Sequence, residues 1–347
     1  SASIFFTAIG CEWFYRGTED FKYITIRGLI IRCIYVVLLF ALVHDEQDLL
    51  IYGGLTVFGT VGNNIFNFIR LRRKIKAYSI EWRTLKPFRH LNGALRIFLL
   101  TVSISIYTNL NIVLLGFLTD AAAVGYFVGA SKIMLMLLGI VTALQTTMLP
   151  RVSQLLANNE TEQFQQILQK SIDFILCLSI PLVMGLIVMS PILIPLFCGE
   201  TYQPAIPTLM IIAPTLLLTA MSGVISGGAL LPQGKENIST VACLLAAAVN
   251  IIGNIILVPK YEQNGTAIAA ILTEATVVGC MFVLGRKYIP MKRWDRHYTN
   301  CCIGAVIMFI VCFAIQTYCS HTILKLFVIP IVGAFVYGSY LVMVRDS

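Results

Sequence analysis

Long apolar runs separated by short polar gaps recur along the whole chain. Ten reach spanning length: residues 24–43, 49–69, 93–118, 122–149, 171–190, 205–231, 238–258, 265–284, 300–318 and 324–344. A bilayer's hydrocarbon core takes about 20 mostly apolar residues as a helix, and a segment in lipid must satisfy its own backbone amides. Each run therefore predicts a crossing helix. The period-two alternation that a membrane barrel strand needs does not run through the sequence. The pattern predicts an all-α, polytopic transmembrane bundle of about ten helices. The apolar stretch ending at Gly10 is too short to span, so the chain is expected to begin inside a helix.

Composition agrees: 58% of residues are hydrophobic and 12% charged, outside the range of soluble domains. The net charge of +8 would fit nucleic acid if the basic residues formed one stripe, but they flank the apolar runs. Residues 70–90 hold Arg70, Arg72, Arg73, Lys74, Lys76, Arg83, Lys86 and Arg89 against Glu81 alone, and residues 286–296 hold five more basic side chains. Lys and Arg mark cytoplasmic ends. Counting outward from these loops places Arg16, Lys22, Arg27, Arg151, Lys170, Lys235 and Arg345 inside, and the acidic Asp45, Glu46 and Asp48 outside. The charge thus reads as orientation and contact with anionic membrane lipids, with no nucleic-acid partner. The longest outside connection, residues 191–204, has no room for a domain. Of ten cysteines, Cys33, Cys177, Cys243, Cys280 and Cys312 lie within apolar runs and read as small buried hydrophobes. None has histidines at ligand spacing, so no metal site is expected.

An ionisable residue within a span costs roughly 2.5–3.5 kcal/mol on insertion scales. Arg32, Arg96, Lys132 and Glu274 are the candidates. Arg32 and Arg96 lie near cytoplasmic ends, where long side chains snorkel; substrate contact is the other reading. Lys132 is near mid-span and shares a helical face with Gly125, Gly129, Met136 and Gly139, small residues that admit either a neighbouring helix or a ligand. The preceding span offers Thr101, Ser105, Thr108 and Asn111 within about 120° of arc at 100° per residue. Asn111 and Lys132 are expected at similar depth. Either they bond two helices together, or they border a polar cavity whose cation takes a phosphate. Glu274 can pair structurally or carry a coupling proton. Asn250 with Asn254, and Asn63 with Asn67, are one turn apart and predict interhelical hydrogen bonds. Pro181 with Gly185, Pro214, Gly223, Gly227 and Gly228, and Pro330 with Gly333 interrupt spans, as transporter helices that open a cavity to alternate sides do.

No phosphate-cradling glycine loop, nucleophile elbow or paired acidic cluster is present, so catalytic residues and cofactors are not expected. Four groups of residues in order resemble one family. They are Glu12-Trp13-Phe14-Tyr15-Arg16-Gly17 with Tyr23 to Arg27; Leu115-Gly116-Phe117 with Val124 to Phe127, leading to Lys132; Leu149-Pro150-Arg151; and Asn250 with Pro259-Lys260-Tyr261 and Gly265. They resemble the polysaccharide transporters, including O-antigen flippases, of the multidrug, oligosaccharidyl-lipid and polysaccharide exporter superfamily.

The resemblance implies a MATE-like architecture of two lobes across a central cavity, truncated here at the N-terminus. Residues 1–69 would be the C-terminal part of the first, incomplete lobe, and 70–92 a basic cytoplasmic loop between lobes. Residues 93–284 would form the second six-helix lobe, and 285–347 two additional C-terminal helices. Departures from the family are Arg16 where glutamine is common, Asn111 where aspartate often stands, Glu262 where glycine is usual, and Thr266 where alanine is typical. The implied activity is translocation of an undecaprenyl-diphosphate-linked oligosaccharide across the bacterial cytoplasmic membrane by alternating access. Lys132, Arg96 and Arg32 would hold the anion, Asn111, Thr108 and Ser105 would supply polar lining, and Glu274 would serve coupling to H+ or Na+. A multidrug cation antiporter of the same superfamily would favour acidic cavity residues instead. A membrane glycan polymerase or ligase would need a sizeable outside loop.

Overall fold

The computed structural model describes residue 6 and residues 10–45, 48–75, 91–289, 296–318 and 322–345. The basic residues Lys76, Arg83, Lys86, Arg89, Lys292 and Arg293 of the expected cytoplasmic loops lie outside the described residues. The chain divides into two compact units, residues 1–87 and 88–347.

The first unit holds α1 (Glu12–Gly17), α2 (Phe21–Leu42) and α3 (Leu49–Ile75). Its basic end is fastened by side chains: Arg27 Nε donates to Asn63 Oδ1 at 3.1 Å, Tyr15 Oη donates to the Asn67 carbonyl at 2.9 Å, and Arg70 pairs with Asp20 at 3.0 Å. The Arg70 guanidinium lies 3.7 Å from the centre of the Tyr23 ring, a cation–π contact. Burial pushes the Tyr15 phenol above its ordinary value, and Arg70 and Arg27 partly offset the shift.

The second unit runs α4 (Leu91–Leu118), α5 (Ala121–Ala157), α6 (Thr161–Cys198), α7 (Ala205–Ile212) and α8 (Thr215–Gly223). A π-wound segment, Val224–Leu230, comes next. Then come α9 (Glu236–Gly285), α10 (Arg296–Tyr318) and α11 (Thr322–Arg345). Asp120 starts α5 by accepting from the Ala123 amide at 2.9 Å, an N-cap bond.

α9 is a hairpin. Glu262 (φ 48°, ψ −127°) breaks it into two limbs. Asn250 meets Thr273, Gly253 meets Ala269, and Leu257 meets Gly265, an antiparallel register about residue 261. A Cβ on Gly265 would lie 2.5 Å from the Leu257 carbonyl oxygen, so only glycine lets the limbs start this close together. Ala269 meets Gly253 across the limbs, and Ala246, Ala247, Ala267 and Ala270 are buried along them. Lipid offers no hydrophobic drive between helices, and small residues supply close packing in its place.

Among the described residues, eight helical segments are long and apolar enough to cross a membrane. The whole of α9 counts as one of them, although its two limbs fold back on each other. α3 is not among the eight. With the limbs of α9 taken apart and α3 included, all ten expected segments are helical. The protein is a multi-pass α-helical membrane protein.

α10 and α11 attach to α6 through tyrosines. Tyr298 Oη on α10 donates to Asp173 Oδ1 at 2.6 Å, and Tyr337 Oη on α11 donates to the Cys177 carbonyl at 2.8 Å.

Candidate functional site

Lys132 is exposed about a third of the way along α5 and makes no ion pair with any described residue. Its helical face divides in two. Toward the start of α5, the glycines are filled by neighbours: a Cβ on Gly129 would lie 3.1 Å from Cys198 Sγ, and one on Gly125 3.4 Å from Tyr202 Oη. The Tyr202 ring also meets Tyr126 edge-on at 5.5 Å. These two glycines therefore serve helix contact. Toward the other end, Met136 is exposed and nothing lies within 4 Å of a Cβ on Gly139.

Ile133 and Met136, one and four residues past Lys132, line a cavity of about 640 Å³ between α5, α6, α10 and α11. Pro181 and Gly185 on α6 and Pro330 and Gly333 on α11 also line it. The pairs that the sequence marks as interruptions thus lie on its wall, within helices that stay continuous, and its walls are almost wholly apolar. Lys132 is not itself a lining residue; cation and apolar hollow are neighbours along α5, within one unit.

Asn111 is buried on α4, and its side-chain oxygen accepts from Asn250 Nδ2 at 2.8 Å and Asn254 Nδ2 at 3.2 Å. Asn250 Nδ2 also donates to Thr273 Oγ1 at 2.9 Å, joining α4 to both limbs of α9. Asn250 and Asn254 make the interhelical bonds that their spacing predicts. Thr101, Ser105 and Thr108 are exposed on α4; the Thr101 and Thr108 hydroxyls donate to Ile97 and Ile104 carbonyls at 2.9 Å. No hydrogen bond joins Lys132 to Asn111 among the described residues.

Arg96 Nη1 lies 3.5 Å from Glu236 Oε1; the arginine side chain is 46% exposed and the glutamate 9%. The pair thus joins a half-exposed guanidinium to a buried carboxylate. Arg32 is exposed on α2, in the other unit. Glu274 is buried on the second limb of α9, in electrostatic range of Cys243 on the first. Among the described residues, no group of three or more His, Cys, Asp or Glu side chains could hold a metal.

Sequence reasoning passes over Glu236 because an acid in a helix's first turn is explained by the helix dipole alone. The cavity was half visible in its proline and glycine pairs, which do not say that α6 and α11 face each other.

Two curated relatives are named as candidate O-antigen transporters. The one from Shigella dysenteriae is 26% identical over 251 residues, covering 72% of this chain and 62% of its own length. The one from Escherichia coli (strain K12) is 26% identical over 215 residues, covering 61% of this chain and 51% of its own. The chain thus spans between half and two thirds of these relatives. A solved structure of the lipid II flippase MurJ, in an inward closed conformation, superposes with a TM-score of 0.73 at 18% identity, covering 99% of this chain and 73% of that one; at that identity the likeness concerns the fold. The family model of the lipid II flippase MurJ matches residues 29–337, and the chain belongs to that family.

Proposed function

We propose that this chain takes part in flipping a lipid-linked oligosaccharide, of the undecaprenyl diphosphate class, across the bacterial cytoplasmic membrane by alternating access. The observation that carries this reading is the juxtaposition on α5: Lys132, a cation with no described counter-ion, stands one residue from an apolar cavity. A lipid diphosphate needs both. Its charge seeks a donor such as an ammonium group, and its chain gains nothing from a polar groove. Lys132 binds the diphosphate, with Arg96, in the same unit, as a weaker contact. Ser105 and Thr108 offer the glycan a polar surface, and Asn111 backs that surface from its amide cluster. Membership of the flippase family and the names of the curated relatives support the same substrate class. Glu274, a buried carboxylate within a span, carries the coupling cation, H+ or Na+.

The test is reconstitution of the full-length protein with a fluorescent lipid-linked oligosaccharide and measurement of its movement between leaflets. Lys132→Ala is expected to slow flipping by about tenfold or more, the size of one charge-assisted hydrogen bond, while Lys132→Arg retains most activity. Equal flipping by Lys132→Ala and the unmodified protein would reject the assignment.

A further inference from the structure

The span running from α7 through α8 ends in seven π-wound residues, Val224–Leu230. The Leu231 amide donates to the Ser226 carbonyl at 2.8 Å, five residues back, and the Lys235 amide does the same to Leu230 at 2.9 Å. A π turn carries one more residue than an α turn, and such turns occur mainly as short insertions at functional places. Nothing in the local residues enforces this winding. Gly223, Gly227, Gly228, Ser222 and Ser226 have little side-chain bulk to favour either winding. Packing holds it instead: Val224, Ile225, Ala229 and Leu230 are buried, and a Cβ on Gly228 would lie 3.2 Å from Leu168 on α6.

The residues just after the segment are tied to the candidate site. Gln233 Nε2 donates to the Tyr288 carbonyl at 3.0 Å, and the Lys235 ammonium lies 5.1 Å from the Tyr288 ring centre. The next residue is Glu236, which anchors Arg96. Passing the extra residue out of the π turn would shift the following turn by about 1.5 Å and rotate it by about 100°. Residues 231–234 form a turn that leads through Lys235 into Glu236, so the movement reaches the carboxylate through that turn, and a pair already at 3.5 Å has little slack to absorb it.

From this geometry we infer that the π-wound segment Val224–Leu230 is a hinge of the second unit whose rewinding makes and breaks the Glu236–Arg96 pair, freeing Arg96 for the substrate's phosphate in one state only. The inference rests on the alternating-access reading for its purpose but not for its detection.

Ser226 Oγ donates to Ser239 Oγ at 2.9 Å, across to the first limb of α9. That is close enough for a cysteine pair to form an S–S bond of about 2.05 Å after a small shift. Full-length protein with its native cysteines replaced and the pair Ser226→Cys/Ser239→Cys introduced is compared oxidised and reduced in lipid nanodiscs. Two readouts are taken. In hydrogen exchange of the reduced protein, amides of residues 224–231 are expected to exchange about tenfold faster than those of α8, and oxidation is expected to abolish the difference. In the flipping assay, oxidation is expected to stop transport and reduction to restore it. Equal protection of the two segments when reduced, undiminished flipping when oxidised, or failure of the pair to oxidise overturns the hinge. If the exchange result holds but neither the reduced pair nor its cysteine-free parent flips the glycolipid, the function reading fails and the hinge stands.

Discussion

Replacing Glu262 with glycine should stabilise the protein. Glu262 holds φ 48° and ψ −127°, a region that glycine occupies freely and a residue with a Cβ enters only under strain. Such positions cost about 1–3 kcal/mol each. Glycine also loses more freedom on folding, about 0.5–1 kcal/mol, so the expected net gain is roughly 1–2 kcal/mol. The hairpin turn is otherwise set by the close limbs at Gly265 and by the asparagine cluster, neither of which the change touches. Unfolding of Glu262→Gly, Glu262→Ala and the unmodified protein would be followed in a single detergent across a denaturant series. Glycine should raise stability, whereas alanine, which removes the carboxylate but keeps the Cβ, should leave it nearly unchanged. If alanine gains as much as glycine, the backbone is not the cause. If glycine loses stability, the strain argument is wrong.

Asn111→Leu removes the acceptor shared by two buried amides; since Asn250 and Asn254 keep other partners, the loss should be about 1–2 kcal/mol, within the range of hydrogen bonds in membranes, checked by the same unfolding series. Tyr298→Phe deletes the link from α10 to Asp173 and Gln169 and should raise hydrogen exchange in α10 selectively; no change there would show that packing alone holds the helix. Gly185→Phe has open space beside it on α6 and fills the apolar cavity, so insertion should be normal and flipping reduced by about tenfold; unimpaired flipping would remove the cavity from the lipid path. The Asp48 carboxylate accepts from the His44 and Asp45 amides, which hold it below the ordinary carboxylate range. Its folded pKa being depressed, the support it gives the turn is present above the ordinary value of about 3.9 and is lost as pH falls through the lower folded value, visible as faster exchange of those amides.

The helices were legible because spanning length and apolarity are local properties of a sequence. The break in α9 was legible too, since Pro259, Lys260 and Glu262 interrupt the apolar run between the two limbs. Partners were not. A helical wheel puts Thr101, Ser105, Thr108 and Asn111 on one arc of α4, yet Asn111 is buried and the other three are exposed, because the α9 hairpin covers only part of that face. Gly125 and Gly129 left two readings open, and only the position of Tyr202 decides for helix contact. The π winding has no local signature, since the same glycines and serines tolerate an α turn; tertiary packing selects it.

The central claim is that Lys132 and the cavity beside it recognise a charged lipid. It is tested most directly by native mass spectrometry of the full-length protein with undecaprenyl diphosphate and with uncharged undecaprenol, before and after Lys132→Ala. The unmodified protein should prefer the diphosphate by about tenfold or more, and Lys132→Ala should bind the two lipids alike. An undiminished preference for the diphosphate in Lys132→Ala would contradict the account.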